Sequence, residues 1–270
     1  MEIFDGKTEA ANLDNFISKK VTELIHEGSL KDLLIIQIGD NPVSEKYLQL
    51  KVKLCDKLCI PVHVHKLDEH RTDFEIVSNV KALFHNQKVG GGIIQLPLPR
   101  QSLSCILDLI PLEKDIDILS KKAQVRYYCG DFRLLSPVVR AVKSFIEKYK
   151  IDVKGKRVII IGKGFLVGKP VGHYLRSAGA DVHIIDCYEK RNTLDCHLLV
   201  LSAGVRGLVF PKDIVKGCSV VDFGSSIVEG KTIGDLNQSG DLSHLKYVSF
   251  SPGGMGPLVV RFLLMNHLGM

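Results

Sequence analysis

The chain has 270 residues, 45% apolar and 24% charged, which is enough for two domains or one large one and is too apolar for a disordered chain. Its formal charge of +6 is spread along the sequence rather than run together, which argues against a dedicated nucleic-acid binder and leaves a mild attraction for anionic small molecules. Seven cysteines, an odd number at positions 55, 59, 105, 129, 187, 196 and 218, form no secreted disulfide framework and point to a reducing compartment.

The start, Met1-Glu2-Ile3-Phe4-Asp5-Gly6, lacks the basic-then-apolar plan of a signal peptide, and no apolar run reaches the ~18 residues of a membrane span. A cytosolic protein without a membrane partner is expected. Cys55 and Cys59 lie near His63 and His65, but no C-x-x-C pair is present and the two histidines alternate as on a strand; no metal site is expected there.

From Thr8 to His26 apolar residues recur at helical spacing, and Gly28 supplies a stop. A strand is expected at 33–38, a helix from Ser44 to Cys59, a strand around Val62 to His65 and a helix near 73–86. Gly90-Gly91-Gly92 then leads into the apolar run Ile93 to Pro99, and Pro111 to Ile118 forms a loop rich in carboxylates. A long helix from Ser136 to Tyr149 bridges to a second unit, which begins at Lys156-Arg157 and has strands at 158–161, 182–185, 198–201, 219–221 and 248–250. The glycine-proline stretch 252–257 breaks the chain before a last apolar helix, Leu258 to Leu268. This alternation of short apolar strands with helices is the mark of a parallel α/β sheet, whose ligands bind beyond the carboxyl ends of its strands.

Three features carry chemistry. Tyr47 and Lys51 stand four apart on one helix, which places their Cβ atoms about 5–6 Å apart on one face. A phenol beside an amine at a strand's carboxyl edge suits acid/base work, although a solvated lysine beside a half-buried aromatic would look the same. Gly162-Lys163-Gly164-Phe165-Leu166-Val167-Gly168 follows a strand and precedes a helix, one residue longer than the G-x-G-x-x-G dinucleotide fingerprint; its N–H groups and helix N-terminus can face a pyrophosphate. Such turns also serve purely structural ends. Asp186 ends the next strand, where a carboxylate can hold a ribose diol and repel a 2′-phosphate.

Taken together, Asp40 to Ser44 with Tyr47-x-x-x-Lys51, Gly92 to Pro99 around Gln95, Lys114-Asp115-Ile116-Asp117, the turn ending Val167-Gly168-Lys169-Pro170, Gly234-Asp235, and Ser251 to Pro257 resemble the bifunctional methylenetetrahydrofolate dehydrogenase/methenyltetrahydrofolate cyclohydrolase family. The motifs occur in that family's order and span nearly the whole chain. The resemblance implies a two-domain α/β protein: a parallel α/β folate-binding catalytic domain at 1–136, completed by the C-terminal helix 257–270, and a Rossmann-like NAD(P)-binding domain at 137–256. It implies Lys51 as the catalytic lysine, Tyr47 shaping the pocket against the folate, Gln95 orienting Lys51, and Asp117 holding the pterin. Pro252, Gly253 and Gly254 would line the substrate side, and Gly162, Lys163, Gly164, Val167, Gly168 and Asp186 the cofactor. A homodimer is also implied.

The sequence departs from the family at several points. Ile118-Leu119-Ser120 follows Asp117 where glycine is usual, and Leu135-Ser136-Pro137 replaces a cysteine-threonine-proline turn. Lys163 and Gly164 stand for arginine and serine, Phe250 for a proline, and the segment between Asp186 and Leu198 is short. These changes bear on cofactor choice and on whether both reactions run, so a single-activity dehydrogenase or cyclohydrolase and a non-catalytic folate or nucleotide binder remain alternatives. Lys163 suits the 2′-phosphate of NADP, the family's usual cofactor, while Asp186 favours NAD.

Overall fold

The structure of the protein, a computed structural model, describes residues 1–189 and 193–270. The short segment after Asp186 lies partly outside the described residues. The chain forms two compact units, Met1–Asn12 with Pro137–Phe262 and Leu13–Ser136 with Leu263–Met270. No helix among the described residues is long and apolar enough to cross a membrane.

Helix α1 (Gly6–His26) starts where the Asp5 carboxylate accepts the N–H groups of Lys7 and Thr8, which satisfies donors that the first turn leaves open. In the second unit, β2 (Asp32–Ile38) lies between β3 (Val62–Leu67) and β4 (Val89–Ile94), all parallel. Residues Leu33 to Ile38 of β2 are all buried, as expected of a central strand covered on both faces. Helix α2 (Pro42–Lys57) follows β2, and α3 (Asp73–His85) follows β3 behind a capping box in which Thr72 and Glu75 exchange hydrogen bonds. A bridge between Gly92 and Asp115 extends the sheet past β4 into the carboxylate loop. Helix α4 (Lys121–Tyr128), capped by Ser120, closes this part of the chain.

The first unit holds β1 (Glu2–Ile3), α5 (Pro137–Lys148), β5 (Arg157–Ile161), α6 (Gly168–Ser177), β6 (Asp181–Ile185), β7 (Leu198–Leu201), β8 (Ser219–Asp222) and β11 (Tyr247–Ser249). Its six-stranded sheet has the order β1-β11-β8-β7-β5-β6, and every pairing in it is parallel. The order reverses at β5: β6 lies on one side, and β7, β8 and β11 follow on the other. That reversal is the switch point of a doubly wound sheet, where a crevice opens at the carboxyl ends of the strands. Ile159, Ile161, Leu199, Leu201, Val220 and Val248 fill one face of its core. A separate antiparallel hairpin, β9 (Ser226–Val228) and β10 (Lys231–Ile233), turns through Glu229 and Gly230, both at positive φ. The last helix is α7 (Met255–His267).

The expected α/β class with parallel sheets is the observed one. The periodic segments became strands and helices within a few residues of their expected ends. The sequence reading did not anticipate β1, α4, the β9–β10 hairpin or a 3-10 stretch at Gln101–Leu109. A two-residue strand carries no periodicity, and α4 buries only Ala123 and Tyr127, too few for an apolar stripe to register.

Candidate active site

In the second unit, Asn41 accepts the Ser44 N–H at 3.1 Å, and the Ser44 hydroxyl donates to Leu96 O at 3.0 Å. The start of α2 is thereby tied to the chain leaving β4. Tyr47 and Lys51 follow on successive turns of α2, both half-buried. Gln95 stands one residue beyond β4, its N–H donating to Ile36 O at 2.8 Å. Its side chain is 8% exposed, and its Oε1 accepts Lys51 Nζ at 2.9 Å.

The carboxylate loop brings the fourth residue. Asp115 is buried and accepts the N–H groups of Leu119 at 2.9 Å and Ser120 at 2.8 Å, so it holds the turn that carries Asp117. Lys114 donates to Phe84 O and Asn86 O at the end of α3, a structural use of that motif's lysine. Ile118 sits at φ +57°, a region that glycine enters freely and a β-branched residue rarely does. That strain is held in place by Asp115 and by burial of the isoleucine side chain.

Burial pushes the Lys51 amine below its ordinary value, against the opposing pull of Asp117 and Cys55. Burial pushes the Asp117 carboxyl up to about 7, opposed by Lys51 and reinforced by Asp115. An amine made less basic and an acid made less acidic, within reach of each other's charge, form a pair suited to passing a proton.

Sequence reasoning missed Asn266. From the last turn of α7 its amide donates to Ile116 O and to Leu135 O, both at 2.9 Å, which anchors the Asp117 loop to the C-terminal segment. The one signal was an amide following the apolar run Phe262 to Met265 near the end of that helix.

The other expected residues lie in the first unit. Gly162 has φ +102°, and a Cβ there would meet Ser202 O at 2.5 Å; a Cβ on Gly168 would meet Gly162 O at 1.9 Å. The turn therefore folds tightly onto itself: Val167 caps α6 without a side-chain hydrogen bond, and the Lys169 N–H donates back to Gly164 O at 3.1 Å. Gly162 N–H donates to Ile185 O at 2.8 Å, which sets the exposed Asp186 beside the start of the turn. Lys163 is exposed, and no atom lies within 4 Å of where a Gly164 Cβ would be. Pro252, Gly253 and Gly254 form the turn between β11 and α7. Phe250, in place of a proline, packs against the sheet core.

Together these features define an α/β protein with a buried lysine–carboxylate pair in one unit and a sheet of the dinucleotide-binding kind in the other. Residues 4–117 match the catalytic domain of tetrahydrofolate dehydrogenase/cyclohydrolase, and residues 136–270 match its NAD(P)-binding domain. The Bifunctional protein FolD of Sulfurimonas denitrificans is 31% identical, with 99% of this chain and 96% of that protein covered. A crystal structure of the bifunctional FolD methylenetetrahydrofolate dehydrogenase/cyclohydrolase of Campylobacter jejuni is 30% identical, covers 99% of this chain and 97% of the other, and superposes with a TM-score of 0.92. The Trypanosoma brucei FolD structure shares the fold at 24% identity, with 99% and 96% covered and a TM-score of 0.90. The chain belongs to the tetrahydrofolate dehydrogenase/cyclohydrolase family.

Proposed function

We propose that the protein oxidises 5,10-methylenetetrahydrofolate with NADP and hydrolyses the methenyl product to 10-formyltetrahydrofolate. The observation that carries the reading is the Lys51–Gln95 hydrogen bond beside Asp117, in a chain whose two halves match the two domains of one family. Hydrolysis adds water to a cationic amidine carbon and moves a proton at a ring nitrogen. Lys51, less basic than a surface lysine, takes and returns that proton. Gln95 fixes the amine by accepting one of its hydrogens. Asp117 receives the amino-pyrimidine edge of the pterin, and Tyr47 forms the wall one helical turn from the amine. The catalytic domain is read as 1–136 with the helix at 257–270, and the cofactor domain as 137–256, with Pro252, Gly253 and Gly254 on the folate side; the compact units differ from these bounds in that Met1–Asn12 and the chain as far as Phe262 pack with the cofactor domain.

The cofactor supplies a hydride acceptor when bound. Gly162, Gly164, Val167 and Gly168 offer its pyrophosphate a tight turn and a helix N-terminus without a side-chain cap. Lys163 serves the 2′-phosphate and Asp186 the ribose; Asp186 lowers the preference for NADP over NAD without reversing it. A homodimer in the cytosol completes the reading, and a light-scattering mass equal to one chain would remove the dimer.

The test follows methenyl formation and decay by absorbance with methylenetetrahydrofolate and either NADP or NAD. Lys51→Met lowers hydrolysis of supplied methenyltetrahydrofolate by roughly 100-fold or more, the usual scale of a lost general acid/base. Undiminished hydrolysis would mean that another group moves the proton.

A further inference from the structure

The chain leaving β7 borders the switch-point crevice of the first unit, next to the glycine turn that leaves β5. The Ser202 hydroxyl joins the two lips by donating to Ile161 O at 3.1 Å and to Gly162 O at 3.3 Å. Beyond Ser202, three successive backbone N–H groups point the same way. Asp235 Oδ2 accepts Ala203 N–H at 2.7 Å and Gly204 N–H at 3.1 Å, and Oδ1 accepts Val205 N–H at 2.8 Å. Consecutive N–H groups of this kind form a nest that ordinarily takes an external anion. Here the anion comes from the chain itself, and the side chain is fully buried.

Asp235 is held in turn by a second carboxylate. Asp222, the last residue of β8, accepts the N–H groups of Gly224 at 2.7 Å, Asp235 at 3.1 Å and Leu236 at 3.0 Å. Gly224 and Gly234 allow this close approach, since a Cβ on either would fall 2.3 Å and 2.1 Å from an Asp235 or an Asp222 atom. Ser226 Oγ donates to Gly204 O at 2.9 Å, and Ser251 Oγ donates to Gly224 O. Burial pushes both carboxyls up, while the backbone donors favour their charged forms. The loops after β7 and β8 are thus braced by two buried acids, neither of which has a role in the reaction derived above, and Ser251 ties the turn after β11 to the second of these loops.

We propose that Asp235, seated on Asp222, is a positioning residue for the dinucleotide site: by filling the 203–205 nest it fixes the lip of the crevice against which the cofactor is laid. The inference rests on reading the first unit as the cofactor domain. Asparagine at 235 keeps one acceptor oxygen for three donors and turns an NH2 group toward the nest, so the lip loosens without loss of a charged contact to any ligand.

Asp235→Asn is expected to raise KM for NADP about tenfold, the scale of one or two charge-assisted bonds lost. Hydrolysis of supplied methenyltetrahydrofolate should stay within about twofold, since it draws on Lys51 and its neighbours. An unchanged KM for NADP, or a parallel fall of both activities, overturns the inference. If Asp235→Asn does not melt cooperatively, Ser226→Ala decides: a rise in KM for NADP of about threefold with hydrolysis intact supports the lip, and no rise overturns it. A wild-type protein that binds and turns over neither NADP nor NAD overturns the cofactor reading itself, and the inference with it. Wild-type turnover with unmoved variants overturns the inference alone.

Discussion

Lys51 stands between two influences of opposite sign, burial that removes its charge and Asp117 that restores it. The consequence for stability is directional. Asp117 ionises near 7 in the folded chain against an ordinary value of 3.8, so between those pH values the folded state keeps a proton that the unfolded chain has released. Stability therefore falls as pH rises through that window. Lys51 acts on the alkaline side: between its lowered value and the ordinary 10.5 the unfolded chain holds the extra proton, and stability rises with pH. Asp117→Asn removes the first dependence and lowers the amine further. Urea midpoints measured in steps from pH 4 to 8 should show the variant gaining on the wild type up to about pH 7 and then levelling. Parallel profiles would show that the carboxyl titrates where an exposed one does.

Among the elements, the turn from β5 to α6 makes the sharpest demand on side-chain size. Gly168 has no room for a methyl group, because the obstruction at 1.9 Å is the backbone oxygen of Gly162. Gly172, one turn later, faces the movable tip of Ile184 at 2.8 Å. Gly168→Ala should raise KM for NADP at least ~10-fold and cost ~3 kcal/mol, since backbone must shift. Gly172→Ala should change stability by only about 1 kcal/mol, because better helix propensity offsets mild overpacking. Thermal melts and cofactor titrations of the two variants check the contrast, and equal effects would contradict it. The turn's glycines were legible in the sequence from their place between an apolar strand and a helix. Which of them could not be changed was not legible, because the obstructing atoms belong to folded backbone.

At the scale of the whole molecule, the first twelve residues join a unit that resumes at Pro137. The link is β1 against β11, with Glu2 opposite Tyr247 and Ile3 opposite Val248. Phe4 follows at 2% exposure, edge-on to Phe145 at 5.4 Å and to Tyr149 at 6.2 Å. Phe4→Ala should cost about 3–4 kcal/mol and lower the melting temperature by roughly 10 °C. A calorimetric midpoint within about 2 °C of wild type would mean that the N-terminal segment is not part of that unit's cooperative core.

What the sequence determined by itself was the local order of strands and helices and the family, because apolar periodicity, glycine placement and short motifs are written in neighbouring residues. Tyr47, Lys51, Gln95 and Asp117 were legible as a set through that resemblance. The tertiary structure alone decided the partnerships: Gln95 with Lys51 across 44 positions, Asn266 with Ile116 across 150, and Asp235 with the nest at 203–205. In each, one side chain answers a distant donor or acceptor that has no periodic signature, and only the packed sheets and helices bring the two within hydrogen-bonding distance.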